Sequence, residues 1–140
     1  MCDLAASRIT SAVLQNPTGF TSESPDVYPN NFSAWAEELR AKRPELDETA
    51  LAGLRKNMWG AEDFVFSVDR HFVGRLSVPV LVLPGDDIPH PSSVGNELAE
   101  IIPGAECLTD WKCPGFAEAQ RDTVVAFLDK HTQLSRELRG

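Results

Sequence analysis

Apolar residues occupy both alternating faces of one stretch, Val78-Pro79-Val80-Leu81-Val82-Leu83. A run with no polar side predicts a strand buried by helices above and below it, and Pro79 limits that strand only at its start. Ile9-Thr10-Ser11-Ala12-Val13-Leu14 reads as an earlier short strand that stops at the turn formers Gln15-Asn16-Pro17-Thr18-Gly19. The polar stretch from Thr21 to Asn31 predicts a surface loop. Ser33 is placed to cap a helix through about Lys42, with Trp35 and Leu39 on one face, and Pro44 follows its end. Asp47 caps a second helix, where Leu51, Leu54 and Met58 recur at helical spacing before Gly60. From Phe64 to Val73 the apolar residues Phe64, Val65, Val68, Phe72 and Val73 fall on one side, which favours a third helix.

After the buried strand, Ser92 or Ser93 opens a helix through Leu98 and Ile101-Ile102, closed by Pro103-Gly104. Ala105 to Thr109 predicts a third short strand. A long helix follows from Phe116, with Gln120, Val124, Phe127, Leu128 and His131 on its stripe, and the polar residues from Ser135 to Gly140 are expected to fray. The order is strand, helical excursion, strand, helix, strand, helix. Crossover helices between strands imply a parallel sheet, hence an α/β fold with three parallel strands flanked by helices. The excursion between the first two strands runs to about fifty residues, where a crossover needs about a dozen, so an inserted helical cap is expected. One domain follows, divided into residues 1–19 (first strand and turn), 20–76 (cap), 77–134 (strand-helix-strand-helix) and 135–140 (tail).

Composition narrows the partners. The formal net charge of −8 argues against nucleic acid and against an anionic membrane surface. No run approaches the length of a membrane span, and no secretory leader pattern opens the chain. Three cysteines, Cys2, Cys107 and Cys113, are too few and unevenly placed for a disulfide framework, which points to a reducing, cytoplasmic setting. No zinc spacing, Walker pattern or Gly-x-Gly-x-x-Gly occurs, so neither a metal nor a cofactor is implied.

Chemistry concentrates after the buried strand, in Pro84-Gly85-Asp86-Asp87-Ile88-Pro89-His90-Pro91. This stretch, with Pro79 to Leu83 before it, resembles the seventh strand and acid-bearing turn of the α/β-hydrolases. Arg8 to Gly19 looks like the strand after the nucleophile helix of that family. Phe64 to Val73 is similar to the end of its cap, Glu97 to Glu106 to the next helix and strand, and Val125-Ala126-Phe127-Leu128 to the closing helix. The resemblance implies a partial α/β-hydrolase fold, an ester or C–C bond hydrolase ancestry, and Asp87 as the triad acid, with Asp86 and His90 as weaker candidates. It also implies that the nucleophile elbow would precede residue 8, and no Gly-x-Ser-x-Gly occurs in the chain. The family's histidine belongs in the loop Trp111-Lys112-Cys113-Pro114-Gly115-Phe116, which has none; Phe116 falls near the matching slot, and the histidines are His71, His90 and His131. The expectation is a carboxyl-terminal half, a pseudoenzyme unable to perform acyl transfer alone, since an acid without nucleophile and base cannot do so.

Other readings compete. Asp86, Asp87 and His90 offer metal-type donors but match no ligand spacing, and a turn-closing role explains them more simply. His90 could serve as a displaced base toward Ser92 or Ser93, although helix capping accounts for those serines. Cys113 beside Lys112 has the setting of an activated thiol, but small packing cysteines are commoner. The acidic-to-basic run from Glu37 to Arg43 fits a helix dipole. Trp35, Trp59, Phe64, Phe66 and Phe72 either form the cap's own core or line a pocket for a small apolar ligand. The first strand would lack a neighbour on one side, so self-association or pairing with an amino-terminal half is expected through Ile9 to Leu14.

Overall fold

The computed structural model describes residues 9–22, 25–60 and 63–137, with side chains through residue 132. Strands β1 (Ala12–Gln15), β2 (Val80–Leu83) and β3 (Glu106–Cys107) lie in that spatial order, all parallel. Ala12 pairs with Val80 and Gln15 with Leu83; Leu81 pairs with Glu106 and Val82 with Cys107. Pro79 sits just before β2, where its carbonyl accepts from the Ala12 amide at 2.9 Å. The sheet is thus the three-stranded parallel α/β arrangement expected from the strand-helix alternation.

All four residues of β2 are buried, and their alternation divides them between two cores. Val80 and Val82 face Val94, Leu98 and Ile102 together with Phe64 and Val73. Leu81 and Leu83 face Trp111 and Phe127. Each such side chain contributes about 1.5–3 kcal/mol by burial, so this strand holds the two helical layers together. The first layer is α4 (Ser92–Ile101), which turns Val94, Gly95 and Leu98 inward. The second is α5 (Ala117–Glu137), anchored by Phe127. That helix continues through Ser135 to Glu137, past the point where fraying was expected, and Gly140 and Cys2 lie outside the described residues.

Between β1 and β2 run α1 (Val27–Lys42), α2 (Glu48–Trp59) and the single turn α3 (Arg70–Val73). Here the sequence expectations need three corrections. Helix α1 starts six residues before Ser33, inside the stretch read as loop. Pro29 falls in its first turn, where a backbone N–H has no intrahelical acceptor to lose. Ser33 does not cap it; its hydroxyl donates back to the Pro29 carbonyl at 2.8 Å. Residues 64–69 are irregular rather than helical, because Phe64 adopts φ +53°. This left-handed conformation is costly for a bulky residue; its ring is 4% exposed, its carbonyl accepts from the Phe20 amide at 2.7 Å, and the Arg70 guanidinium lies 4.8 Å from the ring. Arg70 also pairs with Asp63 and with Glu97 of α4, fastening the excursion to the core. The Asp47 cap does form, accepting from the Thr49 amide at 3.0 Å.

The two long helices bury little of their own apolar surface. Phe32 and Leu51 are covered, whereas Trp35, Leu54 and Met58 are 48%, 41% and 40% exposed. The supposed stripe of Leu51, Leu54 and Met58 is therefore a core contact only at Leu51.

Two glycines give opposite expectations in helices. A Cβ on Gly95 would lie 2.7 Å from Pro84 Cα, whereas one on Gly53 of α2 would meet nothing within 4 Å. Gly53→Ala should therefore raise the unfolding free energy by roughly 0.5–1 kcal/mol, the usual helix gain. Gly95→Ala should lower it by about 1–3 kcal/mol through overpacking. Urea denaturation checks both; a stabilising Gly95→Ala would contradict the packing of α4 on the strand end.

Candidate functional site

The candidate site is the turn between β2 and α4, at the carboxyl ends of β1 and β2. Open parallel sheets place ligands at such strand ends. The chain leaves β2 at Pro84, whose carbonyl accepts from the buried Trp111 indole at 2.8 Å. Gly85 comes next and packs directly on His90: a Cβ there would lie 2.0 Å from the His90 carbonyl oxygen. No other residue type fits, so the chain folds back on itself within six residues.

The two aspartates then part. Asp86 turns toward Lys112 and forms an ion pair with its ammonium, which also lies 5.1 Å from the centre of the Trp111 ring. Asp87 turns inward along the loop. Its Oδ1 accepts from the His90 backbone amide at 2.9 Å and contacts His90 Nδ1 at 2.7 Å, while its carbonyl oxygen accepts from the same amide at 3.1 Å. The resulting bridge between Asp87 and His90 is a small antiparallel closure. Asp87 is 50% and His90 30% exposed at the side chain.

Partial loss of water opposes the Asp87 charge. The side-chain and backbone hydrogen bonds from His90, and the charges of His90 and Lys112, outweigh that loss and hold the carboxyl below its ordinary value. The carboxylate is therefore ionised at neutral pH and can only accept. It follows that His90 Nδ1 carries the proton, which in the neutral ring leaves Nε2 as the basic nitrogen.

A cleft of about 760 Å³ opens beside this pair, lined by Thr21, Asp86, Asp87, Ile88, Ser92 and Ser93 with Pro89 and Pro91. Ser92 and Ser93 do not cap α4; the N-cap position is Pro91, without a side-chain hydrogen bond. Both serines are exposed on the first turn. From the cap, the Tyr28 hydroxyl donates to the Pro89 carbonyl. Burial raises the Tyr28 pKa against a lowering hydrogen bond from Thr18, and the Asp87 charge adds to the rise.

The structure thus brings Asp87 and His90 together, while Asp86, on the same cleft, pairs with Lys112 instead. Among the described residues, no group of three His, Cys, Asp or Glu side chains is placed to hold a metal ion. His71 is exposed on α3, and His131 lies on α5 with its ring 4.6 Å from Phe127. Phe116, near the slot of the family histidine, is 50% exposed. Cys113 is exposed, and the neighbouring Lys112 ammonium is engaged by Asp86. Cys107 is also exposed, and what burial it has raises its thiol pKa, away from an activated thiolate. Tyr28, Trp111 and Lys112 escaped the sequence reading as site residues. Tyr28 and the Trp111-Lys112 pair lie far apart in the chain and give no spacing signal, because each reaches the acid turn only through tertiary folding.

A carboxyl with a lowered native pKa stabilises the fold above the ordinary carboxylate range, and that contribution is lost as pH falls through the native value. Asp87→Asn should therefore destabilise the protein at about pH 7, with the gap to wild type closing toward about pH 3. Urea unfolding across that range checks it; a gap independent of pH would assign the loss to something other than the charge.

No protein-family model, no curated protein and no solved structure matches the chain, so any functional reading rests on its own residues and their geometry.

Proposed function

We propose that this chain forms the acid-bearing and cap-bearing part of an α/β-hydrolase-type site and is catalytically silent by itself. The observation that carries the reading is the position of Asp87: an ionised carboxylate in the turn leaving the central parallel strand, bonded to an imidazole and open to a cleft. In acyl transfer such a carboxylate holds the histidine tautomer and stabilises the cation formed when the histidine takes a proton from the nucleophile. The sequence holds no nucleophile elbow, and the elbow also supplies an oxyanion-hole amide. Without them an Asp–His pair has neither an attacking atom nor a stabilised intermediate.

The Asp87–His90 contact favours a second form of this reading, a split hydrolase. In it His90 is the base and a strand from outside these residues delivers the nucleophile. The outer edge of β1 suits such a strand. The amides of Ala12 and Asn16 point to β2, donating to Pro79 and Leu83. By the alternation of a parallel ladder, those of Val13 and Gln15 point away from it. No strand occupies that edge among the described residues. A second copy of the chain is the other occupant the same edge would accept.

Two measurements test these statements. Purified chain should hydrolyse p-nitrophenyl acetate no faster than buffer. Turnover that Asp87→Asn or His90→Gln abolishes would show a competent site within these 140 residues, and turnover that both variants retain would place the chemistry elsewhere. Light scattering should report a mass above the 15.4 kDa monomer at micromolar concentration. Gln15→Pro, which deletes an outward amide and leaves the β2 ladder intact, should restore the monomer. A wild-type monomer, or a dimer indifferent to Gln15→Pro, would reject self-association through this edge.

A further inference from the structure

We infer that Tyr28 is a positioning residue for the Asp87–His90 pair: from the excursion, its hydroxyl orients the peptide group whose N–H donates to the Asp87 carboxylate. The pair itself is a feature of the structure, so this role stands apart from the hydrolase-type reading. The Tyr28 hydroxyl donates to the Pro89 carbonyl. That carbonyl and the His90 N–H belong to one peptide group, which is planar and stiff. Its N–H end donates to Asp87 Oδ1 at 2.9 Å and to the Asp87 carbonyl at 3.1 Å. Tyr28 therefore holds one end of a plate whose other end Asp87 holds. A rotation of the plate that breaks the first bond misaligns the second.

The two bonds also reinforce each other electronically. Donation into a carbonyl oxygen draws electron density from the amide nitrogen and makes its N–H a stronger donor, so bonds linked through one peptide group are cooperative. The Thr18 side chain hydrogen-bonds the Tyr28 hydroxyl in turn. A run of bonds thus leads from Thr18 through Tyr28 and the Pro89–His90 peptide to the carboxylate. Asp87 Oδ1 is the oxygen that also meets His90 Nδ1 at 2.7 Å. Setting the backbone amide against that oxygen sets where the ring finds it. Among the described residues no backbone amide donates to the Pro89 carbonyl, which leaves this end to Tyr28.

The ring and the hydroxyl of Tyr28 have separate partners. The ring stacks on Trp59 at 4.8 Å and 15°, and Phe66 abuts it edge-on at 5.2 Å. Those contacts need only an aromatic ring, whereas the bond to the turn needs the hydroxyl. Arg70 also fastens the excursion, but through Asp63 and Glu97 rather than through the acid turn. Fastening and positioning can therefore be separated by mutation.

Tyr28→Phe keeps the stacked ring and removes only the hydroxyl. Hydrogen exchange of the His90 amide, followed by NMR in the whole chain, should quicken roughly tenfold. At a pH where the ring is neutral, the His90 ring nitrogens should move from the Nδ1-protonated form toward a mixture of tautomers. Arg70→Gln loosens the excursion at its other tie and should leave both readouts as in the wild type. In the Asp87→Asn background Tyr28→Phe should add no further change at the ring, because Tyr28 acts through the carboxylate. Thr18→Val removes the preceding bond and should move the His90 amide in the same direction by less; it serves if Tyr28→Phe fails to fold. An unaltered His90 amide in Tyr28→Phe (or in Thr18→Val, where only that variant folds) would overturn the inference. So would an equal response to Arg70→Gln, or a further ring shift in the double variant. None of these readouts involves ester turnover, so failure here and failure of the hydrolase-type reading are told apart.

Discussion

Gly85 and His90 approach so closely that no side chain fits between them, and the rest of the site follows from that approach. The contact reverses the chain within one turn of leaving the buried strand. It brings the His90 amide and ring within reach of the Asp87 carboxylate, which accepts from the amide and bonds the ring through one oxygen. It also fixes where α4 starts, since Pro91 is its N-cap and Gly95 rests on Pro84 one turn later. A side chain at Gly85 would push these elements apart together. The charge of Asp87 is then a consequence of geometry, because a carboxylate with two bonds to its loop partner resists protonation.

Around this turn the molecule is fastened at three separate places. Trp111, from the loop before α5, holds the Pro84 carbonyl and fills the core beneath Leu81 and Leu83. Lys112 beside it engages Asp86. Tyr28, from the first turn of α1, reaches the Pro89 carbonyl and thereby ties the excursion to the acid turn. Arg70 repeats the tie on the other flank through Glu97. The excursion is joined to the sheet by a few directional contacts and by the apolar residues Phe64 and Val73, with Val65, Val68, Phe72 and Leu76 beside them, while its two long helices leave Trp35, Leu54 and Met58 partly exposed.

The sheet was legible from the sequence because β2 is apolar on both faces, and only a strand between two layers needs that pattern. The Asp47 cap and the long closing helix were legible for the same local reasons: a short acceptor ahead of a periodic run, and a stripe centred on Phe127. The start of α1 was hidden by Pro29, which reads as a loop residue unless it falls in a first helical turn. Residues 64–69 were misread as helix because their apolar spacing fits one; the positive φ of Phe64 is set by tertiary burial and by Phe20, which no local pattern encodes. At the site, Asp87 and His90 were both named, yet their pairing depends on the close packing of Gly85, and the serines read as caps turned out to line the cleft. The exposure of Trp35, Leu54 and Met58 was invisible, since helical spacing looks alike whether a stripe is covered or open.

The account reduces to one physical statement: an ionised Asp87 sets the proton on His90 Nδ1 and leaves Nε2 as the basic nitrogen of the neutral ring. The split form of the proposed hydrolase-type site, in which His90 is the base, needs that tautomer. Long-range proton–nitrogen correlation spectra of His90, recorded at a pH where the ring is neutral, measure it directly. The account predicts a single tautomer with the proton on Nδ1 in the wild type, and a mixture once Asp87 is replaced by Asn. A proton on Nε2 in the wild type, or identical spectra for the two proteins, would contradict it.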